Sequence, residues 1–239
     1  MEEKTEEKRE VANKINMMDM LKAGVHFGHK KSKKHPKMDE YVFGIRNGIS
    51  IIDLSKTKGK LAEAADFARK ISEKDGIVLF VGTKRQASKI IEAAAQKCDM
   101  PYVSERWLGG TFTNFEKILI GKKRLESLIE EKENGELARK YTKKEVREIE
   151  REMKRLDMKF GGIKKVNRIP DAVFVVDIIE EETAILEALA KKVPVIAITD
   201  TNTNPSHISY PIPANDDAIR SIELITNVIA DAIIEGKKK

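Results

Sequence analysis

This sequence predicts a doubly wound α/β fold, built on a parallel sheet, with an inserted antiparallel coiled-coil hairpin. Three observations carry that prediction. Strands read at Ile77–Val81, Ala172–Asp177 and Val193–Asp200, each mostly a continuous apolar run, alternate with helical apolar spacing, as expected of parallel strands covered on both faces. The alternation stops over residues 114–160, where Val146, Ile149, Met153, Leu156 and Phe160 keep a 3-4-3-4 rhythm, the seam of a coiled coil. Between the two patterns lies Arg106-Trp107-Leu108-Gly109-Gly110-Thr111-Phe112-Thr113-Asn114-Phe115, which holds the single tryptophan and a Gly-Gly pair.

Composition narrows the class. The 239 residues suffice for a real core. Lys plus Arg total 45 against 39 Asp plus Glu, a net charge of +6 that suits acidic partners without specifying them. The single Cys98 excludes an intramolecular disulfide and fits a reducing compartment. No apolar run reaches the roughly 18–20 residues of a membrane span. The acidic, polar start is not a signal peptide. The expected location is cytoplasmic.

Residues 1–16 carry five Glu and little to bury, which predicts a flexible acidic arm. A short helix follows from Asp19 and ends at Gly24. Next come His26-Phe27-Gly28-His29 and then five lysines within residues 30–37. Such a run is either a solvated loop or a phosphate contact that relieves its self-repulsion. Tyr41–Ile45 and Ile49–Leu54 read as strands joined by an Asn47-Gly48 turn. A helix from about Ser55 buries Leu61, Ala64, Ala65, Ala68 and Ile71. The strand Ile77–Val81 feeds Gly82-Thr83 and a helix bearing Ala87, Ile90, Ile91, Ala94 and Ala95.

The loop at 106–115 reads either as a packed hinge or as a surface on which Arg106 and Trp107 meet phosphate and base, with Asn114 capping the next helix. Residues 114–160 then form two helices reversed near Asn134-Gly135. They carry 14 Lys/Arg against 11 Asp/Glu from Glu116 to Lys159, a balance that suits a solvated arm. After Gly161-Gly162 the alternation returns, with a helix at Thr183–Leu189. Tyr210-Pro211-Ile212-Pro213 is an edge strand at best, and a final helix starts near Asn215-Asp216-Asp217.

Little here supports catalysis. Gly82-Thr83-Lys84-Arg85 resembles a phosphate-binding turn, where Lys84 and Arg85 would hold an anion. It matches neither G-x-x-x-x-G-K-[ST] nor G-x-G-x-x-G, so a structural turn remains equally open. Asp200-Thr201-Asn202-Thr203-Asn204 opens like a calcium loop, but Pro205 and Pro211 stand where Gly and Glu are needed. An aspartyl-phosphate chemistry at Asp200 would need Asp177, Asp216 and Lys84 brought beside it. His26, His29 and Asp200 are the metal candidates. Two histidines without a nearby Cys or carboxylate fit packing and hydrogen bonding better than zinc.

Together these segments resemble the bacterial small-ribosomal-subunit protein two (S-two) family over nearly the whole chain. The resemblance rests on Met20–His29, Pro36-Lys37-Met38, Ile45–Gly48, Ile51–Leu54 and Phe80–Ala87. It continues through Arg106–Gly110, Thr113–Phe115, Pro170–Ala172, Asp200–Asn202 and Asn215–Ala218. It implies a Rossmann-like αβα body, residues 1–113 and 161–239, with a hairpin inserted at 114–160. It also implies a non-enzymatic protein without a cofactor that binds small-subunit ribosomal RNA between head and body. Such a protein helps dock the large S-one protein, which recruits messenger RNA.

On that resemblance the RNA-facing residues are Lys30, Lys31, Lys33, Lys34, Lys37, Arg46, Lys84, Arg85, Arg106 and Trp107. Their role would be positioning by charge and shape. Asn204-Pro205-Ser206 stands where some relatives carry Asp-Pro-Asp, so a metal bridge to that loop is not expected. The chain ends in three lysines, without the acidic tail of some relatives.

Overall fold

The computed structural model describes residues 16–238. The acidic arm expected over residues 1–16 therefore lies outside the described residues, except Asn16. Its side chain accepts from the Met18 amide (2.9 Å) and caps α1, Met17–Ala23. Gly24 closes that helix in the left-handed conformation, φ 76°.

The strands form two sheets rather than one. A five-stranded parallel sheet has the order β5-β4-β6-β7-β8. Its members are β4 Val78–Val81, β5 Tyr102–Val103, β6 Ala172–Val176, β7 Val195–Thr199 and β8 Tyr210–Pro213. The order reverses between β4 and β6, the switch point at which such folds bind ligands. β8 lies at an edge, where Pro211 and Pro213 cost the fewest ladder hydrogen bonds.

The earlier strands instead build a separate antiparallel sheet, β1-β3-β2: β1 Phe27–Lys30, β2 Val42–Arg46 and β3 Ile49–Ile52. Arg46 pairs with Ile49 across Asn47 (φ 51°) and Gly48 (φ 75°), the two-residue turn predicted from Asn-Gly. β1 and β5 are too short to show a period, and neither is predicted by the sequence.

Side-chain alternation along the parallel strands produces two cores. Val78, Phe80, Phe174, Val176, Ile196 and Ile198 face α2 (Leu54–Ser72), α3 (Ser88–Lys97) and α8 (Ile219–Lys237). The odd-numbered neighbours Leu79, Val81, Val173 and Val175 belong to the other core, with Ala184, Ile185 and Ala188 of α7 (Glu182–Ala190). Burial on both faces is why these strands show no polar alternation.

α4 (Phe115–Glu133), α5 (Glu136–Lys140) and α6 (Lys143–Phe160) occupy the stretch between β5 and β6. Ile118, Leu125 and Phe160 join the second core, so the base of the hairpin is continuous with the body. α4 and α6 run antiparallel, with Gly121 against the Phe160 ring near the base and Lys132 bound to Glu150 (3.1 Å) farther out.

Two boundaries and one cap differ from expectation. α3 starts at Ser88 rather than near Thr83, because the Thr83 amide is held by the Glu181 carboxylate and residues 84–87 form a turn. α8 starts at Ile219 because the Asn215 side chain accepts from the amides of Asp217 (2.8 Å) and Ala218 (2.9 Å), closing a turn first. Asn114 sits at the N-cap of α4, but its side chain makes no capping hydrogen bond. Cys98 is buried at the end of α3, where desolvation pushes its thiol up to about 11. That is an inert packing thiol.

Candidate functional site

The carboxyl ends of β4, β6, β7 and β8 bring together side chains far apart in sequence. Lys84 Nζ lies 2.9 Å from Asp177 Oδ2, 3.1 Å from Asp216 Oδ1 and 2.6 Å from Asp217 Oδ1. Burial works against its charge, but the surrounding carboxylates outweigh that cost and raise its pKa above the ordinary lysine value. Asp216 is fully buried and pushed up to about 7, first by desolvation and then by Asp177 and Asp200. Asp177 adopts φ 70° and accepts from the amides of Ile179 (2.9 Å) and Glu180 (3.1 Å).

The small sheet closes over this end. The His29 amide donates to Thr201 Oγ1 (2.8 Å) and the His35 amide to Thr201 O (2.8 Å). Gly28 makes the approach possible, since a Cβ there would fall 2.5 Å from the Thr201 side chain and 3.1 Å from Ser50 O. His29 Nδ1 is 3.1 Å from Asp200 Oδ2, and Nε2 is 3.5 Å from Asp217 Oδ2. The hydrogen bond to Asp200 raises the pKa of the imidazole.

His29, Asp200 and Asp217 each present a ligand atom within 4.8 Å of the others, so among the described residues they are the group that could hold a divalent cation. Of the metal candidates read from sequence, His29 and Asp200 meet. His26 does not join them: its ring stacks at a tilt on Phe27 (4.0 Å) and burial lowers its pKa.

This crevice is built against phosphate. An incoming anion would face Asp177, Asp216, Asp217 and Glu181, while the Thr83 amide is already taken and α3 begins farther along the chain. Asp200 is 1% exposed, and Oδ1 accepts from the Thr201 amide and hydroxyl. A phosphoryl-accepting Asp200 with Lys84 beside it is therefore not assembled. The assignment of Lys84 to RNA is corrected on the same ground, because its side chain is 17% exposed and its ammonium is already held by three carboxylates.

The remaining predicted cations are arranged differently. Lys30, Lys31, Lys33 and Lys37 are exposed on and beside two short 3-10 turns and have no carboxylate partner among the described residues. Lys34 is partly buried and bound to Asp39. Met38, fully buried, anchors the segment, and the His35 Nδ1 accepts from the Lys37 amide (3.2 Å). Arg46, Arg85 and Arg106 are exposed at the ends of β2, β4 and the loop after β5.

Trp107 is not. It is 9% exposed, edge-on to Phe112 (5.2 Å), and its indole donates to Glu187 Oε1 (3.2 Å). The stacking reading of Trp107 gives way to the packed-hinge reading, because an indole N–H with a buried acceptor is better placed inside.

Glu187 is the functional residue that the sequence analysis missed. Buried on α7, it accepts from the Gly110 (2.7 Å), Phe112 (2.9 Å) and Thr113 (3.2 Å) amides and the Thr113 hydroxyl (3.2 Å), besides Trp107. Burial opposes its charge, but these donors win and lower its pKa. One carboxylate thus fixes the loop that carries Arg106 and leads into α4. The available signal was a lone acid in the apolar run Ala184–Ala190.

On the outer side of the small sheet, Phe43 is 81% exposed. With Leu21, Phe27, Ile45 and Ile51 it lines a groove of about 660 Å³ rimmed by Arg46. Among the described residues no helix is long and apolar enough to cross a membrane.

The fold is that of a Rossmann-like domain whose strand-end crevice is filled by its own ion pairs, with exposed loop cations that make no ion pair among the described residues. The model of the ribosomal protein S2 family matches residues 20–236. The chain is 49% identical over 227 residues to the small ribosomal subunit protein uS2 of Fusobacterium nucleatum subsp. nucleatum, covering 94% of this chain and 91% of that protein. It belongs to the ribosomal protein S2 family, whose members are structural and non-enzymatic.

Proposed function

We propose that this chain, a structural constituent of the small ribosomal subunit, binds the subunit's RNA between head and body. The single observation that carries the proposal is the contrast between Lys84, held by aspartates, and Lys30, Lys31, Lys33, Lys37, Arg46, Arg85 and Arg106, which make no ion pair among the described residues. Exposed cations without carboxylate partners gain most from phosphate and from the counterions released on binding. Lys34 contributes less, since Asp39 already partners it. On this reading the described residues 16–113 and 161–238 belong to the body, whose bounds the sequence sets at 1–113 and 161–239, and residues 114–160 are its inserted hairpin. A role on the ribosome is a cytoplasmic one, exercised beside neighbouring small-subunit proteins and without a small-molecule substrate.

Docking of the S-one protein fits the groove around Phe43. An exposed aromatic beside Phe27, Ile45 and a basic rim suits a protein segment with apolar anchors and acidic flanks.

The test is sedimentation of the tagged protein from lysate through sucrose at moderate and high salt. Co-migration with the small subunit, weakened by salt, is expected. Replacing Lys30, Lys31, Lys33 and Lys37 with Ala lowers the magnitude of the logarithmic salt slope by about 0.7–0.9 per lost contact. Migration as a free protein under both conditions would overturn the proposal.

A further inference from the structure

The near balance of charge along the hairpin hides a segregation that appears only when the ion pairs are traced. α6 carries seven cations (Lys143, Lys144, Arg147, Arg151, Lys154, Arg155, Lys159) and five acids (Glu145, Glu148, Glu150, Glu152, Asp157). Four of the five acids are engaged by groups that are not the helix's own cations. Glu145 closes a capping box with Thr142. Glu150 binds Lys132 of α4 (3.1 Å) and Glu152 binds Arg124 of α4 (3.3 Å). Asp157 binds Lys164 beyond the helix (2.6 Å).

None of the seven cations has a carboxylate partner among the described residues, and all seven are exposed. At 100° per residue they fall within an arc of about 160°, opposite Val146, Ile149, Met153, Leu156 and Phe160. Glu148 is the one acid inside that arc.

We propose that the outer face of α6 is a second RNA-binding surface, on which Arg147, Arg151 and Arg155 contact successive phosphates of one strand of small-subunit ribosomal RNA. Residues four apart on a helix lie about 6 Å apart along its axis, so the three guanidiniums form a row that can follow a charged backbone. Guanidinium groups also pair with phosphate through two parallel hydrogen bonds. A protein interface would need apolar or aromatic anchors at its centre, and this face offers Met158 alone. The inference deepens the RNA-binding function proposed above and rests on it.

The experiment uses the full chain rebound to small subunits stripped of it by high salt. The triple variant R147Q/R151Q/R155Q should keep the helical signal and melting temperature of the wild type. Its logarithmic salt slope for rebinding should fall by about 2 to 3, and the corresponding triple lysine variant should restore most of that loss. An unchanged slope, with wild-type rebinding still salt-dependent, would overturn this inference and leave the body's role standing. Wild type that fails to rebind would overturn both. A separate R151C variant carrying a short photo-crosslinker identifies the neighbour directly, since the buried Cys98 does not compete for labelling. Crosslinks to RNA are expected. Crosslinks confined to a ribosomal protein would assign the face to protein instead.

Discussion

Replacing Glu187 should destabilise the chain more than any substitution of a surface acid, and locally before globally. Its two carboxylate oxygens accept five hydrogen bonds, from Trp107 Nε1, the amides of Gly110, Phe112 and Thr113, and the Thr113 hydroxyl. Each hydrogen bond to a charged acceptor contributes about 1.5–3 kcal/mol, and a buried donor left without a partner costs about 1–3 kcal/mol. These terms are not additive. Some donors will reach water once the loop relaxes, so Glu187→Ala, which leaves neutral donors unpaired, should cost about 3–5 kcal/mol.

Glu187→Gln keeps the volume but turns one acceptor into a donor facing donors, and should cost about 2–4 kcal/mol. Urea denaturation measures the total. Amide exchange at Phe112 and Thr113 should accelerate ahead of exchange in β6 and β7, because the loop alone loses its anchor. The pH dependence has a definite sign. The folded pKa of Glu187 is lowered, so its charge stabilises above the unfolded value of 4.5 and that contribution is lost as pH falls through the folded value. The difference between wild type and E187Q should therefore shrink on acidification. A cost below about 0.5 kcal/mol, the range of ordinary surface substitutions, or a pH-independent difference, would refute the clamp.

Lys84→Met leaves Asp177 and Asp216 without their ammonium partner and Asp217 with His29 alone. It should cost about 3–5 kcal/mol in denaturant titrations, and a neutral effect would show that the strand-end cluster does not bear on stability. Gly162→Ala places a Cβ 2.2 Å from Tyr102 O, which should cost about 1–3 kcal/mol as overpacking. Gly109→Ala meets open space and should stay within about 0.5 kcal/mol; equal melting shifts for the two would contradict the packing at the base of the hairpin. Phe43→Ser should leave the chain on the small subunit but lower the S-one protein recovered with it. Unchanged recovery would detach the groove from that role.

Much of the architecture was legible because burial leaves a local period. The parallel strands announce themselves by continuous apolar runs, the β2–β3 hairpin by Asn47-Gly48, the edge strand by Pro211 and Pro213, and the seam of α6 by its heptad spacing. The site was only partly legible. The exposed lysines at 30–37 look the same in sequence and in space, but Lys84 and Trp107 do not. Lys84 meets carboxylates 93 and 132 residues away, and Trp107 meets one 80 residues away. The unpaired face of α6 was half visible, since a helical projection shows where its cations lie but not which acids are already engaged by Lys132, Arg124 and Lys164.

By itself, then, the sequence determined which segments are strands and helices, which faces they bury, and where positive charge accumulates. Those properties follow from neighbours a few residues apart. Only the tertiary structure decided which charges are free. That depends on Coulomb interactions over about 3–4 Å between groups brought together by folding, and on the cost of taking them out of water, neither of which leaves a period in the chain.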